Sequence, residues 1–493
     1  MMLIPGFLDK FYAYLFADYL SKGLPCKFPR INTYQIDDRD QNYQIQQVES
    51  TDRLSGLPEC LLHEILKYLP ITDARQTSFL SRRWRYTWHS CPSYRFDEYH
   101  FREKYGMHNK MFKTFVDDTL QCRERYFPNL FLEFLKLEMD DIDNEYYALD
   151  DWVNYALEKK VKQLDIRIEN FYMRHNLLPT SVFASETLNV LKISTCNFAW
   201  PDFVHLPNLQ HLTLHWVSVN DEALVKILGG CPGINSLCLA ALMHVKNFTI
   251  RKPKLEVLQL VSGDDEANVT VETSNLQSVF LSNIVWNNVN VSSSGHIKTL
   301  ALYHVRKFSD EALKSLIVHH PFIENLHIEG CYDLKISVIT SPLLKSLYIA
   351  YCIDLEEVSI DAPSLRRFEY RGDLISFSDF KSSHQLKCII SASDSEDHED
   401  TSLYDKLKKM YETFNHSIAL TLCSTRAKFL VIPSHMREKF LPQLGCLNHL
   451  KVELEKSEMD TQELKNGLLW IFPNLKSLEI IDAGFRVFKQ HYS

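Results

Sequence analysis

Glycine is scarce in this chain, 14 of 493 residues, which argues against a flexible or low-complexity architecture. The 12 cysteines include no CxxC pair and follow no regular framework. That excludes a disulfide-stapled scaffold, offers no ligand spacing for zinc, and leads us to expect reduced thiols in a cytoplasmic or nuclear protein. Excess positive charge is also missing. Acidic residues outnumber basic ones 63 to 54, for a net charge of −9, so there is no electrostatic footprint for nucleic acid or an anionic membrane. No run of 18 apolar residues occurs, and no transmembrane helix is expected. The opening MMLIPGFLDKFYAYLFADYL is broken by Asp9, Lys10 and Asp18, with no basic stretch before it and no small-residue cleavage site after it. Residues 1–50 are therefore expected to be a poorly ordered leader and not a signal peptide. The G-x-S-x-G, Walker and G-x-G-x-x-G patterns are all absent, and His63-Glu64 is followed by Ile65-Leu66-Lys67, without the second histidine of a zinc protease. Neither catalysis nor a cofactor nor a metal is expected.

What the chain does have is a period. Apolar residues make up 45% of it, enough for a large core. Strands of the form LxxLxL begin at Leu132, Val161, Leu188, Leu209, Ile234, Leu255, Leu276, Ile297, Ile323, Leu344, Leu365 and Leu386. Seven of the 11 intervals between these starts are 21 residues, and the others are 29, 27, 25 and 26. A fixed period of this length marks a solenoid of leucine-rich repeats: each coil alone exposes positions 1, 4 and 6, and stacking the next coil buries them. Coils of 21 residues leave little room for a helix, so most return connections should be extended. The two exceptions, Asn220–Leu228 and Ser309–Ile317, begin with a capping residue followed by acids and should be helices. Cys196, Cys331 and Cys352 fall three residues after the last apolar strand position and should turn inward beneath their coils.

Before the repeats, residues 52–88 read DRLSGLPECLLHEILKYLPITDARQTSFLSRRWRYTW. Leu61, Leu62, Ile65, Leu66 and Leu69 have helical spacing between Pro58 and Pro70. Thr72-Asp73 reads as the cap and first-turn acid of a second helix, and a third begins near Ser81 with Trp84 and Trp88 one turn apart. Three short helices cannot bury this much apolar surface alone, so the module should need a partner. The pattern resembles an F-box, and its LSRRWRYTW ending resembles those of plant F-box proteins with leucine-rich repeats. The expected fold is α/β: a small three-helix F-box followed by a leucine-rich-repeat horseshoe with a parallel concave sheet. The expected divisions are an F-box at 52–92, a helical connector at 93–130, repeats at 131–391, an irregular or helical insertion with an acidic loop at 392–446, and terminal coils with a cap at 447–493. No convincing C-terminal FBD motif is found.

The resemblance implies a substrate adaptor of an SCF-type ubiquitin ligase. It would bind a Skp-type linker, and through it a cullin, by Leu57, Pro58, Leu61, Ile65, Leu66, Leu69, Leu80 and Trp84. Some of these must also form the F-box's own core. Strand alternation points positions 3 and 5 and the residue after the motif to the concave side. His211, His215, Tyr303, His327, Tyr348, Arg367 and Arg371 are the candidates there for holding a target protein. A bound inositol phosphate would need more cations than Arg367 and Arg371. The competing reading is a ligase-independent interaction scaffold.

Overall fold

The computed structural model describes residues 54, 56–106, 109–139, 148–168, 177–198, 201–262, 267–291, 296–393, 401–432, 437, 444–455 and 460–491. The expected leader at 1–50 and the acidic run at 394–400 lie outside the described residues. The chain divides into two units, Met1–Gly56 and Leu57–Ser493. The second unit carries all the helices and strands considered below.

Its first three helices span Glu59–Tyr68, Ile71–Thr77 and Arg82–Ser90. The second starts earlier than Thr72. The Pro70 carbonyl accepts the amides of Asp73 and Ala74 at 2.9 Å each, so Thr72 lies buried inside the helix and does not cap it. Proline's fixed φ suits this entry position. Ser81 does cap the third helix, its hydroxyl accepting the Trp84 amide at 3.2 Å.

The repeats form one main sheet of 17 strands among the described residues. It runs in chain order from Ser93–Asp97 to Phe485–His491, and every pairing is parallel except the last. Two of the parallel strands were not expected. Ser93–Asp97 pairs with Phe134–Met139, so the array begins inside the expected connector. Ala419–Ser424 joins Lys387–Ser393 to His449–Leu454, so the sheet continues through the expected insertion. One register also differs. Arg367 pairs with Lys387, not with Cys388, so this coil is one residue shorter than the two before it. Cys388 and Ile390 then take the buried positions and Lys387 turns to the opposite face.

The return connections are as extended as the short coils predict, and they pair with one another. Asn247–Ile250, Asn268–Val271 and Val289–Val291 form one parallel sheet; Ile336–Thr340, Glu357–Asp361 and Ser376–Lys381 form another. The two expected helices are present at Asp221–Gly229 and Asp310–His319, capped by Asn220 and Ser309. Their first acids have a second task. Asp221 accepts the amides of Lys246 and Asn247 at 2.8 and 3.1 Å, and Asp310 accepts those of Lys335 and Ile336. Each helix is thereby tied to the return strand of the next coil.

A left-handed residue follows strand after strand: Thr195, Trp216, Ala241, Asn283, His304, Gly330 and Tyr351, with φ from 49° to 63°. Each amide donates to a carbonyl of the adjoining strand, at 2.7 to 2.9 Å. The backbone cost of about 1 kcal/mol at a non-glycine residue is thus offset by one further ladder bond of similar size. Cys196, Cys331 and Cys352 come next in sequence and are buried, their thiols facing the carbonyls of Ser194, Glu329 and Ala350. Burial pushes the Cys352 thiol up to about 11 and the other two further still. These are packing cysteines.

Candidate functional site

The helical module splits its apolar residues in two. Leu62, Leu66, Trp84 and Trp88 are buried and join Tyr94, Phe96 and Phe115 in the core that runs on into the repeats. Leu66 and Trp84, expected at a linker surface, are therefore corrected to core residues: each lies in this cluster with under 5% of its surface accessible. Leu57, Ile65 and Leu69 are half-buried against that core. Leu61 and Leu80 stand out at 47% and 68% exposure, with Pro58 exposed as well. Tyr68 and Phe79 are more exposed still, and the sequence reading gave neither a role. Phe79 adjoins Leu80 in the turn before Ser81, a signal that was available. Leaving such large side chains in water forgoes about 1.5–3 kcal/mol each on the usual burial scale.

The module is fixed to the first coil. The Tyr94 hydroxyl donates to the Trp88 carbonyl at 2.9 Å. Arg123, on the helix Asn109–Tyr126, is completely buried. Its guanidinium donates to the carbonyls of Leu130 at 3.1 Å and Phe131 at 2.9 Å, and lies 3.5 Å from that of Cys91. The planar fork serves three carbonyls on converging segments. Arg83, exposed on the third helix, donates to the Leu57 carbonyl and so ties the Leu-Pro entry to that helix.

A serine, a histidine and a carboxylate also meet in this module. Ser90 Oγ donates to Glu59 Oε1 at 3.0 Å and lies 3.1 Å from His63 Nε2. The carboxylate contacts the serine and not the far nitrogen of the imidazole, and Ser90 is buried. The arrangement is a clasp between the first and third helices. Burial holds His63 below the usual imidazole range, with Glu59 opposing that shift.

On the face of the main sheet turned away from the core, Tyr303, His327 and Tyr348 form a stack. The centroids of Tyr303 and His327 are 4.6 Å apart and those of His327 and Tyr348 are 4.0 Å apart, the latter pair inclined by 18°. The expectation that Tyr303 is open to a partner is corrected: it is 3% exposed, its ring packed beside His327 of the adjoining strand. His327 Nε2 lies 3.0 Å from Glu329. Burial, with Glu329 nearby, pushes the Tyr348 hydroxyl up. Arg371 is paired with Glu369 at 2.7 Å, whereas Arg367 is exposed. His211 and His215 are half-buried on the same face four strands before Tyr303, and burial lowers the His211 pKa. The candidates thus separate into an aromatic cluster with Arg367 nearby and a distant histidine pair. Lys387 beside Arg367 is the residue the sequence reading missed, because its register was misread.

Comparison with known proteins agrees with this architecture. The F-box domain model matches residues 54–96. The model for the leucine-rich repeats of FBD-associated F-box protein At5g56370 matches residues 149–297, and that for the At1g61320/AtMIF1 leucine-rich-repeat domain matches 274–480. F-box/LRR-repeat protein 13 of Arabidopsis thaliana is 32% identical over 237 residues, covering 47% of this chain and 51% of the relative. F-box/FBD/LRR-repeat protein At3g26920, also from Arabidopsis thaliana, is 30% identical over 221 residues, covering 44% of this chain and 48% of the relative. The match spans about half the length of these relatives. With an F-box domain at its start and leucine-rich repeats stacked behind it, the chain belongs to the plant-type F-box/leucine-rich-repeat proteins.

Proposed function

We propose that the protein is the substrate-recognition adaptor of an SCF-type cullin ubiquitin ligase. Its F-box would bind a Skp-type linker, and through it a cullin; its repeats would hold a target protein for ubiquitination. The observation that carries this reading is the division within the F-box. Leu62, Leu66 and Trp84 complete its own core, while Leu61, Phe79 and Leu80 remain exposed on a module anchored to the repeats. A second folded partner would cover that apolar surface and gain the burial energy now forgone. No catalytic role is assigned to the chain. Its contribution would be proximity: tethering a target near the ubiquitin carrier raises effective concentration, and the transfer chemistry belongs to the partners. The proposed place of action is the cytoplasm or nucleus, consistent with eleven described cysteines that are all free.

The test is co-purification of the full chain with a Skp-type linker and a cullin. The adaptor reading expects both. Capture of the linker without the cullin would favour the ligase-independent scaffold, and capture of neither would refute the adaptor reading.

A further inference from the structure

The short coil changes the electrostatics of the main sheet. Because Arg367 pairs with Lys387, both side chains lie at the same strand position on adjoining strands, roughly 4.8 Å apart along the sheet. Phe368 and Cys388, the next residues, are buried, so alternation sends Arg367 and Lys387 to the opposite face, where both are exposed. Their neighbours in the same row are Ser346 on one side and Ala419 on the other, small and uncharged, so nothing beside them fills the space. Among the described residues neither cation takes part in an ion pair or a side-chain hydrogen bond.

Three carboxylates on this face already have partners. Glu329 lies against His327, Glu369 pairs with Arg371, and Glu453 pairs with Lys451. Each carboxylate has a cationic or imidazole neighbour two residues away on its own strand. Arg367 and Lys387 are thus a local excess of positive charge in a chain whose net charge is −9. Two adjacent unpaired cations repel each other and bind best to something that neutralises both.

We propose that Arg367 and Lys387 form a docking strip for an acidic segment of the target protein, an extended stretch presenting closely spaced carboxylates. This deepens the adaptor reading and rests on it for the word target. An extended chain advances about 3.3 Å per residue, so carboxylates one or two residues apart can reach both cations. Arg367 offers a planar fork for one carboxylate and Lys387 a point charge for the next. The aromatic stack begins on the strand before Arg367 with Tyr348, which gives the apolar residues flanking such a segment a surface to pack on.

The test uses the purified full chain, a fluorescent oligoglutamate peptide as probe, and anisotropy as readout. The wild type should bind the probe. Arg367→Ser/Lys387→Ser should weaken binding about tenfold, in proportion to the loss of two exposed charge pairs. Lys254→Ser, which removes an exposed cation elsewhere, should change nothing. Added salt should weaken wild-type binding more than that of the double variant. Equal affinity of the wild type and the double variant overturns the proposal. So does binding of inorganic tripolyphosphate through these residues with no binding of oligoglutamate, which would make the strip a phosphate site. Linker capture is measured on the same proteins. A wild type that captures the linker but ignores oligoglutamate sinks the strip and leaves the adaptor reading standing. A wild type that binds oligoglutamate through Arg367 and Lys387 but never captures the linker keeps the strip and sinks the adaptor.

Discussion

Tyr94, on the first strand of the main sheet, donates its hydroxyl to the carbonyl of Trp88 in the last F-box helix, at 2.9 Å. The two rings also meet edge to face, with centroids 5.3 Å apart. The F-box is thus bonded and packed to the first coil, which would hold a captured target at a fixed distance from a bound linker. Tyr94→Phe keeps the ring and removes the bond. It should cost about 1 kcal/mol, read as a lowered denaturation midpoint. An unchanged midpoint would show that the bond contributes nothing.

Arg123 should matter more. Arg123→Met leaves the carbonyls of Leu130 and Phe131 without their donors inside the protein. A loss of about 3 kcal/mol or more is expected, since each hydrogen bond to a charged group contributes about 1.5–3 kcal/mol. Arg123→Lys should rescue little, because an ammonium cannot reproduce the fork. Denaturation of both variants checks this, and a fully stable Arg123→Lys would contradict the account.

Core and surface in the F-box should separate by stability. Leu66→Ala and Trp84→Ala should each destabilise by about 2–5 kcal/mol, because both side chains are buried. Leu80→Ser should leave the denaturation midpoint nearly unchanged, since its side chain is already in water.

Stability should fall on acidification below neutrality. His63, His89, His211 and His320 are held below the usual imidazole range, in each case chiefly by burial. The folded state keeps these rings neutral, while the unfolded chain takes up protons as pH drops below about 6.5. Their contribution is therefore fully present above that pH and is lost as pH falls from there towards the lowered folded values. Denaturation midpoints across this range should decline, and His63→Gln should flatten part of the slope. Midpoints that rise on acidification would contradict the assignment.

Thiol reactivity should follow burial. Among the described cysteines, Cys60 and Cys446 are exposed, while Cys196, Cys331 and Cys352 are buried with raised pKa values. Brief alkylation of the native protein, mapped by mass spectrometry, should label the first pair and spare the other three until the chain unfolds. Early labelling of Cys352 would show that its coil opens readily.

Most of the repeat array was legible because stacking demands apolar side chains at fixed offsets, and a leucine at the first position announces each coil. The two missed strands lack that announcement. Their first positions are Cys91 and Ser417, both small and both buried. Leu386 misled in the opposite way: an apolar residue at the familiar spacing hid a shortened coil, and only the pairing of Arg367 with Lys387 reveals the shift. In the F-box, helical spacing identified an apolar face but could not tell which residues meet the first strand and which meet solvent. Leu66 and Leu80 differ only in what packs against them. The burial of Tyr303 likewise depends on a histidine 24 residues further on, a relation set by register and not by local sequence.

The most direct measurement is the affinity of a Skp-type linker for the wild-type chain and for Leu61→Ser/Leu80→Ser, by titration calorimetry, with denaturation midpoints measured in parallel. The account predicts a loss of about a hundredfold or more at unchanged stability, because two exposed apolar anchors would be removed from the interface. Undiminished affinity in a stably folded double variant would contradict it, and the F-box would then have to bind through some other surface or not at all.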